Sequence, residues 1–255
     1  MQAVILAAGR GSRLGQLTRR RPKAALRLAG RRLIDWQCAA LEAAGIDAIR
    51  AVAGHAGEAL HAPTGVHVFH NADWSTSGPV ASLLCGLPDT PRQPVLMAYG
   101  DGVFHPDLAR ALRHSDADIA ITVDLRWHAL WSRRFTDVLA DAETLKVDAG
   151  QLVAIGARPA HVDDVQAQFT GLLRLSPSGW KIVQDFVGGL CVVRRASLDT
   201  TSLLSALLAE GVAIEAIPVE GRWCEVDSAR DLALYRLLAR RTPGWSHDWR
   251  WRHPS

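Results

Sequence analysis

The chain opens on a short apolar run, AVILAA, which ends at Gly9 and passes straight into a glycine- and arginine-rich segment, GRGSRLGQLTRRRPK. Such a run fits a strand buried on both faces of a parallel sheet. The next segments agree with it. Residues 33–44 carry apolar side chains at helical spacing (Ile34, Cys38, Leu41) and stop at Gly45. Strands are expected at 48–54 and 66–70, a helix at 79–87, and a strand at 94–100 that runs into Asp101. A helix at 106–114 and a strand at 117–125 continue the alternation. Strand and helix in turn indicate an α/β fold, a Rossmann-like wound sheet, mostly parallel but mixed.

After residue 125 the texture changes. TLKVD, QLVAIG, FTGLLRLS and VAIEAIPVEG read as short strands, with helices near 177–187 and 201–210. This half is expected to form a smaller mixed α+β lobe, 126–227, wrapped onto the first half, 1–125. Ser228 and Asp231 give an S-x-x-D cap for a last helix at 229–240. One domain therefore spans 1–240, and 241–255 reads as an irregular tail rich in Trp, Arg and His. At 255 residues and 48% hydrophobic, the chain is long enough to bury a substantial core.

A formal charge of +3 is far short of a nucleic-acid-binding tail and suits a small anionic substrate. Cys38, Cys85, Cys191 and Cys224 have no C-x-x-C or zinc spacing, so buried free thiols in a reducing compartment are expected. Neither a leader peptide nor an apolar run of membrane-spanning length is evident, and a soluble cytoplasmic protein is expected. No pattern speaks to oligomeric state.

Two constellations carry chemistry. The first is the loop Ala7-Ala8-Gly9-Arg10-Gly11-Ser12-Arg13 with Lys23 behind Pro22. Glycines let backbone amides approach a polyphosphate, and Arg13 adds a guanidinium fork. A dinucleotide site would want a third glycine opening a helix, and a P-loop would want G-K-[ST]; neither is present. The second is a pair of carboxylates, Asp101 after the 94–100 strand and Asp227 before the capped helix. Turn and cap roles account for each aspartate singly.

The stretch LAAGRGSRLGQLTRRRPKAALRLAGRRLI resembles the signature of nucleotidyltransferases that activate sugar phosphates and phosphocholine. The resemblance implies that Leu6, Ala7, Ala8, Gly9, Arg10, Gly11 and Ser12 hold the base and phosphates. It implies that Arg13 and Lys23 stabilise charge at the α-phosphate and on leaving pyrophosphate, without a protein nucleophile. It also implies that Asp101 and Asp227 bind Mg²⁺ as hard oxygen ligands, with Gly100 beside the nucleotide. Glu225 is the runner-up ligand, expected on the opposite face of an extended segment.

Further similarity points to the phosphocholine-cytidylyltransferase-like branch, which includes enzymes acting on phosphonates such as 2-aminoethylphosphonate. It lies in Trp131-Ser132-Arg133-Arg134-Phe135, in 141–146, in Phe169-Thr170-Gly171-Leu172, and in WCEVDSARDL. CTP is the nucleotide this implies. The acceptor is a small phosphonate, aminated or hydroxylated, or phosphocholine. A sugar-1-phosphate enzyme and a non-catalytic NTP-binding regulator are the alternatives. Where the family has a Thr-Asn pair, this chain has Ser77-Gly78-Pro79, and it retains Ser82 as a candidate nucleotide contact. Arg134 and Lys146 are candidates for the acceptor's phosphonate, with Asp124 and Glu143 as possible partners. Trp131 and Phe169 are candidates for its organic part, and Trp74 and Trp127 for an aromatic cage.

Overall fold

A computed structural model describes residues 1–242 and 244–251. The strands are β1 (Gln2–Ala7), β2 (Arg27–Leu28), β3 (Arg31–Arg32), β4 (Ala48–Ala53), β5 (His67–His70), β6 (Val95–Tyr99) and β7 (Gly102–Phe104). They continue with β8 (Ile119–Asp124), β9 (Leu145–Asp148), β10 (Gln151–Ile155), β11 (Gln168–Leu175), β12 (Glu215–Val219) and β13 (Trp223–Glu225). The helices are α1 (Leu33–Ala43), α2 (Pro79–Gly86), α3 (Pro106–Arg113) and α4 (Trp127–Arg134). After them come α5 (Pro177–Gly189), α6 (Val192–Ser197), α7 (Thr200–Ala209) and α8 (Ala229–Arg241).

Nine of these strands form one mixed sheet in the order β5-β4-β1-β6-β11-β8-β12-β10-β9. β5, β4, β1 and β6 are parallel, and β8 and β12 are parallel to each other. β11 runs antiparallel between β6 and β8. Four of the five strands after residue 125, β9 to β12, thus join the same sheet, and β13 pairs with β7 instead. The reason lies in strand alternation. Ala3, Ile5 and Ala7 of β1 enter a core with α1, α3 and α8, while Val4 and Leu6 enter a second core with α2, α5 and α7. A strand that is apolar at every position must have a layer of helix on each side.

Helix α4 has no counterpart among the elements expected from sequence. Its buried residues, Trp127, Leu130, Trp131 and Arg134, follow a helical i, i+3, i+4, i+7 spacing. The charged member at the last buried position disguises the stripe.

The tail is irregular, yet it is part of the core. Residues 243 and 252–255 of the expected tail lie outside the described residues. Among the others, Trp245, His247 and Trp249 are buried. Trp249 and Trp251 meet Trp36 edge-on, at centroid distances of 6.1 and 5.9 Å. His247 Nε2 lies 2.8 Å from Asp124 Oδ2, and both side chains are fully enclosed. Asp124 also accepts from Trp223 Nε1, from the Gly221 amide and from the Arg126 amide. Burial alone would raise the Asp124 pKa, but these donors and His247 outweigh it and hold the carboxyl below its ordinary range. Asp124 therefore ties down the tail and is not a partner for Arg134 or Lys146. Trp249→Ala should cost about 3–5 kcal/mol of stability in urea unfolding. A loss below about 1 kcal/mol would show that the tail is not core.

Candidate active site

β1 and β6 lie side by side and end together, and their carboxyl ends open the site. The chain leaves β6 through Gly100, whose amide donates to the Leu6 carbonyl at 3.0 Å. A Cβ there would lie 2.6 Å from that carbonyl oxygen, so only glycine lets the two strand ends come this close. The loop after β1 turns back at Gly11, φ 63°, where a Cβ would press on the Lys23 side chain at 3.2 Å. Pro22 is extended and leads into a single 3-10 turn, Lys23–Ala25. The loop, the turn and the lysine therefore pack as one unit.

The two aspartates are brought together by a short ladder. β7 pairs antiparallel with β13, with Gly102 opposite Glu225. Val226 N donates to Asp101 O at 3.0 Å. Asp101 just precedes one strand and Asp227 just follows the other, so antiparallel pairing sets them at the same end. Lys23 Nζ lies between them, 2.8 Å from Asp101 Oδ2 and 2.6 Å from Asp227 Oδ1. Burial opposes the charge on Lys23, but the flanking carboxylates outweigh it and raise its pKa. Asp227 is held down to about 2 in the same way: burial opposes, and the Lys23 ammonium prevails, with help from Arg13 and Arg134. Arg13 stands at the rim, 3.4 Å from both Asp227 and Asp141.

Glu225 corrects an expectation. Residues two apart in an extended segment share a face, so Glu225 turns toward the same side as Asp227. One oxygen from each of Asp141, Glu225 and Asp227 falls within 4.8 Å of the others. This is a set of hard oxygen donors of the kind that suits Mg²⁺. Burial raises the Glu225 pKa, the Asp227 charge adds to that, and Arg134 opposes it.

Arg134 is a second correction. It does not reach an acceptor cavity. Its side chain is fully buried and bonds Glu225 at 2.6 Å, Asp227 at 3.0 Å and Asp231 at 3.1 Å. Asp231 also accepts from the Asp227 and Ser228 amides at the N-terminus of α8. Arg134 thus aims the carboxylates. Lys146 is the third correction. Its β9 neighbour Leu145 lines the cavity, and alternation turns Lys146 outward to solvent.

Asp101 and Tyr99 line two cavities. One, about 230 Å³, is bounded by Leu6, Ala8, Gly9, Trp74, Gly78 and Ser82. Ala7, Gly9 and Gly100 wall a narrower gap in front of Lys23. Arg10 is exposed on the loop, as is Ser12. Ser82 is buried, and its hydroxyl accepts from Asn71 Nδ2 at 3.0 Å, which fastens the loop to α2. Gly78 and Pro79 begin that helix. The other cavity, about 330 Å³, is lined by Trp131 and Phe169 among others. Its acids go beyond those assigned from sequence: Asp101, Asp141, Glu143, Asp199, Glu225 and Asp227 all border it, as does Arg13. Nothing in the sequence singles out Asp199, because it also caps α7, an ordinary role for the residue type. Trp127 is enclosed in the core and donates to Val165 O, and Trp74, which lines the smaller cavity, packs on His55.

Residues 3–162 match the family of MobA-like NTP transferase domains, and the chain belongs to that family. It is 30% identical over 252 residues to the CTP:phosphoglutamine cytidylyltransferase of Campylobacter jejuni, covering 92% of this chain and 98% of that one. It is 31% identical over 155 residues to the CMP-5'-(3-aminopropyl)phosphonate synthase of Streptomyces rubellomurinus, covering 58% of this chain and 24% of that protein. The inositol-1-phosphate CTP transferase of T. maritima shares the fold, with a TM-score of 0.72 at 21% identity over 95% of this chain and 96% of that one.

Arg134→Met should destabilise the protein by about 3–5 kcal/mol, because Asp231 and Glu225 lose a buried counter-charge. Chemical unfolding would read it. An unchanged midpoint would contradict the role given to Arg134.

Proposed function

We propose that this nucleotidyltransferase is a cytidylyltransferase, moving CMP from CTP to a small phosphate- or phosphonate-bearing acceptor. The observation that carries the reading is the Lys23 ammonium clamped between Asp101 and Asp227 at the mouth of the glycine loop. An acceptor oxygen attacks the α-phosphorus, the bond to the bridging oxygen of the β-phosphate breaks, and pyrophosphate leaves with that electron pair. Positioned charge suffices for this step. The loop Leu6–Gly11 and Gly100 would receive the nucleotide in the smaller cavity, with Ser82 at its edge. Lys23 and Arg13 would meet the phosphates. Asp101 and Asp227 would hold Mg²⁺, with Asp141 or Glu225 completing the oxygen set. The ion supplies neutralisation of phosphate charge when bound.

The acidic cavity favours an acceptor whose organic end is cationic, since six carboxylates border it and only Arg13 among the bordering residues is basic. Glu143 feels the charge of Asp199 and, less strongly, of Asp141, and Thr201 Oγ1 approaches it at 3.5 Å. An aminoalkylphosphonate or phosphocholine-like acceptor fits this better than a neutral sugar phosphate. Trp131 and Phe169 would pack on the alkyl part.

Pyrophosphate release across a panel of NTPs and acceptors tests the reading. CTP with an aminated phosphonate or phosphocholine should be the best pair, silenced by chelator and restored by Mg²⁺. A folded sample that releases pyrophosphate with no pair would overturn it. Glu143→Gln should raise the KM for an aminated acceptor by about tenfold with kcat for CTP use little changed. An unaltered KM would remove Glu143 from acceptor binding.

A further inference from the structure

Away from the reaction site, four arginines surround a second basin. It is a cavity of about 340 Å³ whose lining includes Arg27, Arg236, Arg240 and Arg250. They come from three places: the β2–β3 hairpin, the C-terminal half of α8, and the terminal segment. None of the lining residues borders the acidic cavity. Backbone bonds fix two of the guanidinium groups. Arg236 Nη2 donates to Arg27 O at 2.7 Å, and Arg27 Nη1 donates to Gly30 O at 2.9 Å. Among the described residues, only Arg250 of the four pairs with a carboxylate, that of Asp248, which it forks at 2.8 and 2.7 Å. Asp35 feels the charge of Arg27, but that carboxylate is already forked by Arg32.

Basic residues in a last helical turn complement the helix dipole, which accounts for Arg240. It does not account for Arg27, delivered by a separate hairpin, nor for Arg250. Gathering like charges around one basin is unfavourable unless an anion enters. Guanidinium groups match phosphate oxygens in two-point contacts, and several of them suit more than one phosphate. The basin's volume is that of a small-molecule site.

We propose that this basin binds the di- or triphosphate group of a small molecule, at a site separate from the reaction site. The walls lead back to the chemistry. β2 follows directly on the turn that carries Lys23, and α8 begins beside Asp227.

Calorimetric titration with inorganic tripolyphosphate, in chelator, tests this. Without a divalent ion, the acidic cavity repels the probe. The intact chain should bind one tripolyphosphate, more weakly as salt rises. The double variant Arg236→Ala/Arg240→Ala should lose about tenfold or more in affinity. The single charge reversal Arg240→Glu should also weaken binding, and it leaves the buried cores untouched. Lys23→Ala should bind as the intact chain does. Absence of binding to the intact chain would overturn the proposal. So would affinity retained in both arginine variants, or affinity lost in Lys23→Ala alone.

Discussion

A lysine ammonium held between two carboxylates, Lys23 between Asp101 and Asp227, is the contact on which the site depends. It joins the first loop, the end of a central strand and the entry to the last helix. Two like charges at such short range disfavour each other unless a cation stands between them. Lys23 fills that place here. The glycine loop packs against its alkyl stem, so the same residue fixes the loop's path.

Around this contact the acids are aimed from behind. Arg134 spans Glu225, Asp227 and Asp231, and Asp231 in turn accepts from the start of α8. The face toward Lys23 is thereby fixed by buried ion pairs, while the cavity beyond, bordered by Glu143 and Asp199, is left acidic and open. Four arginines are gathered elsewhere, around the basin at the far end of α8. A small net charge of +3 thus conceals a marked separation of sign.

Much of the fold is legible in the chain itself. Fully apolar runs such as Ala3–Ala7 and the helical spacing in Leu33–Ala43 state their own periods. The glycine loop, Lys23 and the two aspartates are singled out by resemblance to a family signature, and the structure brings Lys23, Asp101 and Asp227 together. Three features are not legible. Arg134 occupies a buried helical position that periodicity reserves for apolar residues, so from sequence it resembles a surface charge. The β7–β13 ladder is three residues on each side and closes across a long stretch of chain, and no local signal marks such a pairing. The tail has no regular period, and its burial rests on Asp124, His247 and edge-packed tryptophans that sequence distance keeps apart. For Glu225 the difference is one of register: positions 225 and 227 share a face.

The most direct test is single-turnover pyrophosphate release from CTP by Lys23→Ala, with folding verified by circular dichroism. If Lys23 supplies charge to the transition state, the loss should be about a hundredfold or more, the scale of removing a preorganised charge. Turnover within about twofold of the intact enzyme, in a folded variant, would contradict that role.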